Sequence, residues 1–180
     1  IAPGTQINYY LDDTILAITW KQAIDNCMYT ISEVKLAHPS QIRRYLAGGE
    51  YGSKILLVTT RMAQSVNAVV ASSGDFYGYR KYGAVVYENE LRRFEGESVD
   101  TCYITEDGEM IFSKQGQITN KAAAEKFVEE NKVRFSLAFG PALICDGEKC
   151  KLDEYAIGDI PEPHCRAALC QMGPLHYLLV

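Results

Sequence analysis

The sequence predicts an α+β fold, a β-rich mixed sheet core with a few peripheral helices, and three observations carry that prediction. Short runs rich in Val, Ile, Thr and Tyr recur along the 180 residues, separated by the Gly, Pro and Asp-Gly breaks that end strands. Helix-forming composition is confined to a few short stretches between them. The 47% apolar content supplies one sizeable core, most simply as a single domain over residues 1–180, with no internal repeat, low-complexity tract or linker to divide it.

Taken in order, Cys27–Leu36 alternates loosely as a strand, and Pro39 followed by Gly48-Gly49 brackets a short helix over 39–46. The unbroken apolar run at 55–59 reads as a strand, residues 61–65 as one or two helical turns, and 66–71 as a buried strand. Two apolar stretches, 84–87 and 91–94, flank Glu88-Asn89-Glu90 as a hairpin. A second hairpin is marked more strongly, because residues 101–105 and 110–113 bracket Asp107-Gly108. Thr119 offers an N-cap to an exposed amphipathic helix over 120–132, with Phe127 and Val128 as its apolar contact. Residues 135–139 then form a strand into Gly140-Pro141, and Asp146-Gly147 tips a last hairpin.

The most informative junction lies where the 66–71 run breaks into Ser72-Ser73-Gly74-Asp75-Phe76-Tyr77-Gly78-Tyr79-Arg80. It sets one carboxylate and one guanidinium at the mouth of the expected strand, where Gly lets the backbone approach a ligand closely. A tight turn with a solvated Asp is the plainer alternative. Tyr77, Tyr79 and Tyr82 crowd the same stretch and suit either packing or stacking on a sugar face.

Charge and composition exclude several classes. The net charge is −5 and the 18 basic residues are scattered, with no more than adjacent pairs such as Arg43-Arg44 and Arg92-Arg93, so no electrostatic footprint for nucleic acid exists. No apolar stretch reaches the length of a membrane span, and Ile1-Ala2-Pro3-Gly4-Thr5 lacks the features of a signal peptide, as in a mature or trimmed product. Six cysteines favour an oxidising setting, extracellular or cell envelope. Two C-x4-C spacings, Cys145/Cys150 and Cys165/Cys170, raise a four-thiolate zinc site as a minor alternative. A local bridge across Asp146-Gly147 explains the first pair more simply, and longer-range bridges are expected for the second.

Read together, the order of motifs resembles the phosphodiester glycosidase domain family, in its secreted bacterial form. The matching features are His38-Pro39-Ser40-Gln41-Ile42, Glu50-Tyr51-Gly52, Gly74-Asp75-Phe76-Tyr77-Gly78 and Gly83-Ala84-Val85-Val86. They continue through Asp107-Gly108, Phe139-Gly140-Pro141-Ala142-Leu143, Asp146-Gly147, Arg166-Ala167-Ala168-Leu169 and His176-Tyr177-Leu178-Leu179-Val180. Three departures stand beside them. Ser73 occupies the place of a customary Asn, and Ala167 that of a customary hydroxyl residue. The family's Asp-Gly-Arg turn and glycine-rich Asn/Asp segment do not follow Val180. The apolar run 177–180 therefore reads as a sticky sheet edge, with a complementary C-terminal chain or segment as an expected partner.

The resemblance implies a hydrolase that removes a sugar from a phosphodiester-linked glycan or cell-wall polysaccharide. Asp75 is then the carboxylate that stabilises the oxocarbenium-like sugar or orients water, and Arg166 is the phosphate clamp. His176 is an acid–base candidate, although a histidine in an apolar strand is more often a packed, hydrogen-bonded one. Ser73, Gly74, Tyr77 and Arg80 are expected to bind substrate. No cofactor is implied, and a divalent cation is left open. The alternative is a non-catalytic carbohydrate- or cell-wall-binding module on the same fold, and a third reading is a cysteine-rich structural domain.

Overall fold

The computed structural model of the chain describes residues 1–96, 98–152 and 164–180. The chain runs through β1 (Ile7–Leu11), β2 (Ile15–Ile24), β3 (Cys27–Leu36), a 3-10 turn at Pro39–Gln41 and α1 (Thr59–Ser65). It continues through β4 (Ala84–Tyr87), β5 (Glu90–Phe94), β6 (Thr101–Thr105), β7 (Met110–Ser113), α2 (Lys121–Glu130) and β8 (Val133–Ala138). Short β9 (Ile144–Cys145) and β10 (Glu148–Lys149) precede β11 (Leu169–Gly173) and β12 (His176–Leu179). The α+β, β-dominated class is as the sequence predicts. In place of a mixed sheet, every strand pair among the described residues is antiparallel, because the strands are joined mainly by hairpins.

The described residues fall into two compact units. The first combines Ile1–Ala47, Ile55–Ser73 and Cys165–Val180; the second combines Gly48–Lys54 and Gly74–His164.

The first unit is a five-stranded sheet in the order β1-β2-β3-β12-β11. Its spine is the β2–β3 hairpin, two strands of ten residues each turned at Asp25-Asn26, where both residues take positive φ of 47° and 65°. That backbone suits the twist of a two-residue hairpin, and Asn and Asp tolerate it better than most side chains. Asp12 shapes the preceding β1–β2 turn. Its carboxylate accepts hydrogen bonds from the Tyr10 hydroxyl and from the Thr14 and Ile15 amides, which together hold its pKa down at about 2. Ala17, Val34 and Tyr177 sit side by side across β2, β3 and β12 and are buried. The strand β12 is not an edge. It pairs with β3 on one side and β11 on the other, so the apolar 177–179 run is interior and the sheet edges are β1 and β11.

The second unit has its core where the β4–β5 hairpin and the β7-β6-β8 sheet meet α2. Ala84, Val86, Tyr103, Ile118, Ala124, Val128 and Val133 form it, and the Tyr103 and Phe127 rings meet at 4.9 Å. The expected hairpins are present: Glu88-Asn89 turns β4 into β5, Gly108 turns β6 into β7, and Asp146-Gly147 turns β9 into β10. No ladder joins β4 to β8. A buried hydroxyl does so instead: Ser136 Oγ donates to the Ala84 carbonyl at 2.6 Å and accepts from the Val86 amide at 2.8 Å.

Four expected elements differ. The helix expected over 39–46 is only the 3-10 turn, because Ile42 is already extended (φ −88°, ψ 121°). The apolar run at 55–58 is no strand; Ile55, Leu56, Leu57 and Val58 are exposed, and Val58 caps α1, which takes up Thr59. Residues 66–71 are likewise no buried strand, for Val66 ends α1 and Asn67 turns the chain at φ 50°. A short apolar run satisfies helix, strand and coil alike by periodicity, and only pairing partners decide among them. Finally, α2 is capped by Asn120 rather than Thr119, its side chain accepting from the Ala123 amide at 2.9 Å.

Replacing Ser136 by Ala leaves a carbonyl and an amide unpaired in the core, so destabilisation of about 2–5 kcal/mol is expected. Urea unfolding of the two proteins measures it, and a difference below ~1 kcal/mol would mean that β4 and β8 are held by packing alone.

Candidate functional site

The Gly74–Arg80 stretch belongs to the second unit and is fixed by the end of β8 rather than by a strand behind it. Asp75 Oδ2 accepts the Ala138 amide at 3.0 Å. Phe76 packs edge-on against Phe139, with ring centroids 5.5 Å apart. The Tyr79 and Arg80 amides both donate to the Phe76 carbonyl at 2.9 Å, closing one tight turn. Two glycines allow this approach to β8. A Cβ on Gly74 would stand 3.3 Å from Leu137 Cδ2, and one on Gly83, at φ 72°, would reach 2.5 Å from Ala138 Cβ.

Chemistry-bearing groups cluster on that turn. The Arg80 guanidinium lies 5.3 Å from the Phe139 ring centroid and donates to the Tyr82 hydroxyl at 2.9 Å. Tyr77 stacks on Tyr51, centroids 5.4 Å apart and planes 27° from parallel. Phe76 is 50% exposed and Tyr79 70% exposed, so apolar ring surface borders the carboxylate and the guanidinium. Such a surface can hold a sugar ring by stacking and an anionic group by charge-assisted hydrogen bonds.

The structure brings Gly74, Asp75, Tyr77 and Arg80 together on this turn. Ser73, Arg166 and His176 belong to the first unit. Ser73 is exposed and outside any element. Arg166 is exposed and lies just ahead of β11, whose ladder is extended by mutual Ala168 and Val180 backbone bonds. His176 opens β12, half-buried, with Nε2 2.8 Å from Glu33 Oε1 on the neighbouring β3. The two residues are diagonal neighbours on one sheet face, since His176 faces Lys35 and Leu178 faces Glu33. It is therefore a hydrogen-bonded sheet histidine with a carboxylate to orient it.

Sequence reasoning missed Glu33, Arg93 and Asp100. The alternation of β3 was the available signal for Glu33. Arg93 Nη1 and Nη2 donate to the Tyr77 and Arg80 carbonyls at 2.8 and 2.9 Å, a contact that no local pattern announces. Asp100 is buried and accepts from the Gln115 and Ala142 amides at 2.8 and 2.9 Å and from Lys114 Nζ at 3.3 Å. It ties three separate segments together and serves the scaffold.

The expected local bridge, Cys145–Cys150, closes the β9–β10 hairpin with Cα atoms 6.3 Å apart, which removes two thiols from any four-thiolate zinc arrangement. The longer-range bridges expected for the second pair are not formed: Cys165 and Cys170 are free, as are Cys27 and Cys102. In β11 Cys170 faces Leu178 of β12, so its neighbour across the ladder is apolar.

No protein-family model matches the chain, and no curated protein matches its sequence. Among the described residues no helix is long and apolar enough to cross a membrane.

The cysteines can be checked directly. Burial pushes the Cys102 thiol up to about 12, although the residue as a whole keeps some exposure, and it also raises Cys170. Both stay protonated and slow at pH 8, whereas Cys27 and Cys165 are exposed. Alkylation followed by mass mapping should label Cys27 and Cys165 first, Cys102 last, and Cys145 and Cys150 only after reduction. Equal labelling of Cys102 and Cys27 would contradict this burial.

Proposed function

We propose that the protein is a phosphodiester glycosidase, a hydrolase that cleaves a sugar from a phosphodiester-linked glycan. The observation that carries the reading is the Asp75–Arg80 turn, which presents a carboxylate, a guanidinium and exposed aromatic rings from one short, well-anchored segment. The motif order that resembles this family supports it from the sequence side.

In the proposed reaction the bond from the anomeric carbon to the phosphate oxygen breaks, water supplies oxygen to that carbon, and the phosphate departs as a monoester. A phosphate is a weakly basic leaving group, so stabilising charge on both sides of the breaking bond matters more than protonating it. Asp75 stabilises the positive charge developing on the sugar or orients the water. Arg80 is a phosphate ligand, and Gly74 and Tyr77 line the sugar site. Motif order alone gives Arg166 the part of phosphate clamp, His176 that of an acid–base group and Ser73 that of a substrate contact. The reading includes a complementary segment bearing the family's glycine-rich Asn/Asp run, a phosphorylated glycan or cell-wall polysaccharide as substrate, and an extracellular or cell-envelope setting, with which the Cys145–Cys150 bridge agrees.

A non-catalytic carbohydrate-binding module is the second reading, favoured by Ser73 and Ala167 in place of an amide and a hydroxyl. The same turn would then bind and release a glycan unchanged.

Asp75→Asn separates the two. Its amide oxygen can still accept the Ala138 amide, so the fold is retained while release of sugar from a sugar 1-phosphodiester falls by at least ~10²-fold. Unchanged turnover would remove Asp75 from the mechanism, and glycan binding without turnover in the parent protein would favour the binding module. Arg166→Lys is expected to weaken phosphodiester substrates far more than uncharged glycosides; equal loss on both would assign Arg166 to the scaffold.

A further inference from the structure

We propose that Arg93 is the positioning residue of the Asp75–Arg80 turn, holding it in the shape that presents the carboxylate and the guanidinium. The inference rests on the glycosidase reading for its functional part and on geometry alone for its structural part.

The turn creates a specific need. Its Tyr79 and Arg80 amides both donate to the Phe76 carbonyl, while the Tyr77 and Arg80 carbonyls accept from a side chain outside the turn. These are three residues apart, and one planar guanidinium reaches both, with Nη1 on Tyr77 O at 2.8 Å and Nη2 on Arg80 O at 2.9 Å. A fork of fixed geometry sets the separation of the two carbonyls, which a single ammonium does not. The turn is thus held at two points by Arg93 and at a third by Asp75 on Ala138.

The strand that bears Arg93 is built to aim it there. In the β4–β5 ladder Val85 faces Arg93 but Val86 faces Leu91, so Arg92 is the extra residue of a bulge. The bulge gives the adjacent arginines different surroundings. Arg92 bridges to Glu90 at 2.7 Å at the hairpin surface, whereas Arg93 turns to the Asp75–Arg80 segment. Arg93 Nε is buried and has no hydrogen-bond partner among the described residues.

The test compares wild type, Arg93→Lys and Arg93→Gln. The Tyr79 and Arg80 amides report the turn by hydrogen exchange, and the amides of β6 and β8 report the core. Loss of the clamp is expected to speed exchange at Tyr79 and Arg80 by about tenfold or more in both variants, with the core amides unchanged. Unchanged exchange at those two amides, or equal acceleration throughout the unit, overturns the clamp. If Arg93→Gln does not fold, Arg93→Lys decides, since it keeps the charge and loses the two-point span.

Turnover of N-acetylglucosamine 1-(methyl phosphate) supplies the functional readout, expressed per folded molecule. A positioning role lowers kcat about tenfold with little change in KM, because only the transition state requires the aligned carboxylate. Local acceleration of exchange with kcat unchanged overturns the positioning role. Should wild type itself leave the diester intact, the glycosidase reading and the functional part fall together, while exchange still decides the clamp.

Discussion

In the second unit a buried hydroxyl fixes β4 against β8. Ser136 bonds to both Ala84 and Val86, which belong to a hydrophobic cluster of Val, Ala, Tyr and Ile. Sheets are usually joined strand to strand by a repeating ladder; here one side chain supplies an acceptor and a donor to two backbone groups that water cannot reach. Because the alternative is two orphaned polar groups, the spacing of β4 and β8 is tightly specified.

From that fixed pair the remaining geometry follows. The end of β8 offers the Ala138 amide to Asp75, the Ala138 methyl to the bare face of Gly83, and the Phe139 ring to Phe76 and Arg80. The β5 strand of the β4–β5 hairpin bears Arg93, which holds the same turn by two of its carbonyls. A loop rich in Gly and Tyr, flexible by composition, is thereby held as a defined surface.

Much of this was legible in the sequence, and the reasons are local. Asp107-Gly108 and Asp146-Gly147 announce hairpins because a tight turn needs positive φ, which Gly108 and Gly147 supply, and the Cys145–Cys150 bridge follows from the second of them. The Gly74–Arg80 turn was visible as an abrupt change in residue type. What stayed hidden depends on distant partners. The runs at 55–58 and 66–71 have strand-like composition, yet composition cannot show that no ladder receives them, and β12 looked like an edge because β3, its neighbour, lies far upstream. Ser136, Glu33 and Arg93 are ordinary residues in ordinary strands, and their significance lies wholly in what they face.

The first unit is assembled from three separated stretches, with nearly all of the second unit encoded between two of them. Glu33 meets His176 across 143 residues. On the ribosome, at roughly 5–20 residues per second, β3 therefore spends on the order of 7–30 s with one flank bare before β12 is made. During that interval the intervening polypeptide has emerged and can close its own core. The nascent chain thus finishes its inserted half first, and the window for misassociation falls on the strand that waits.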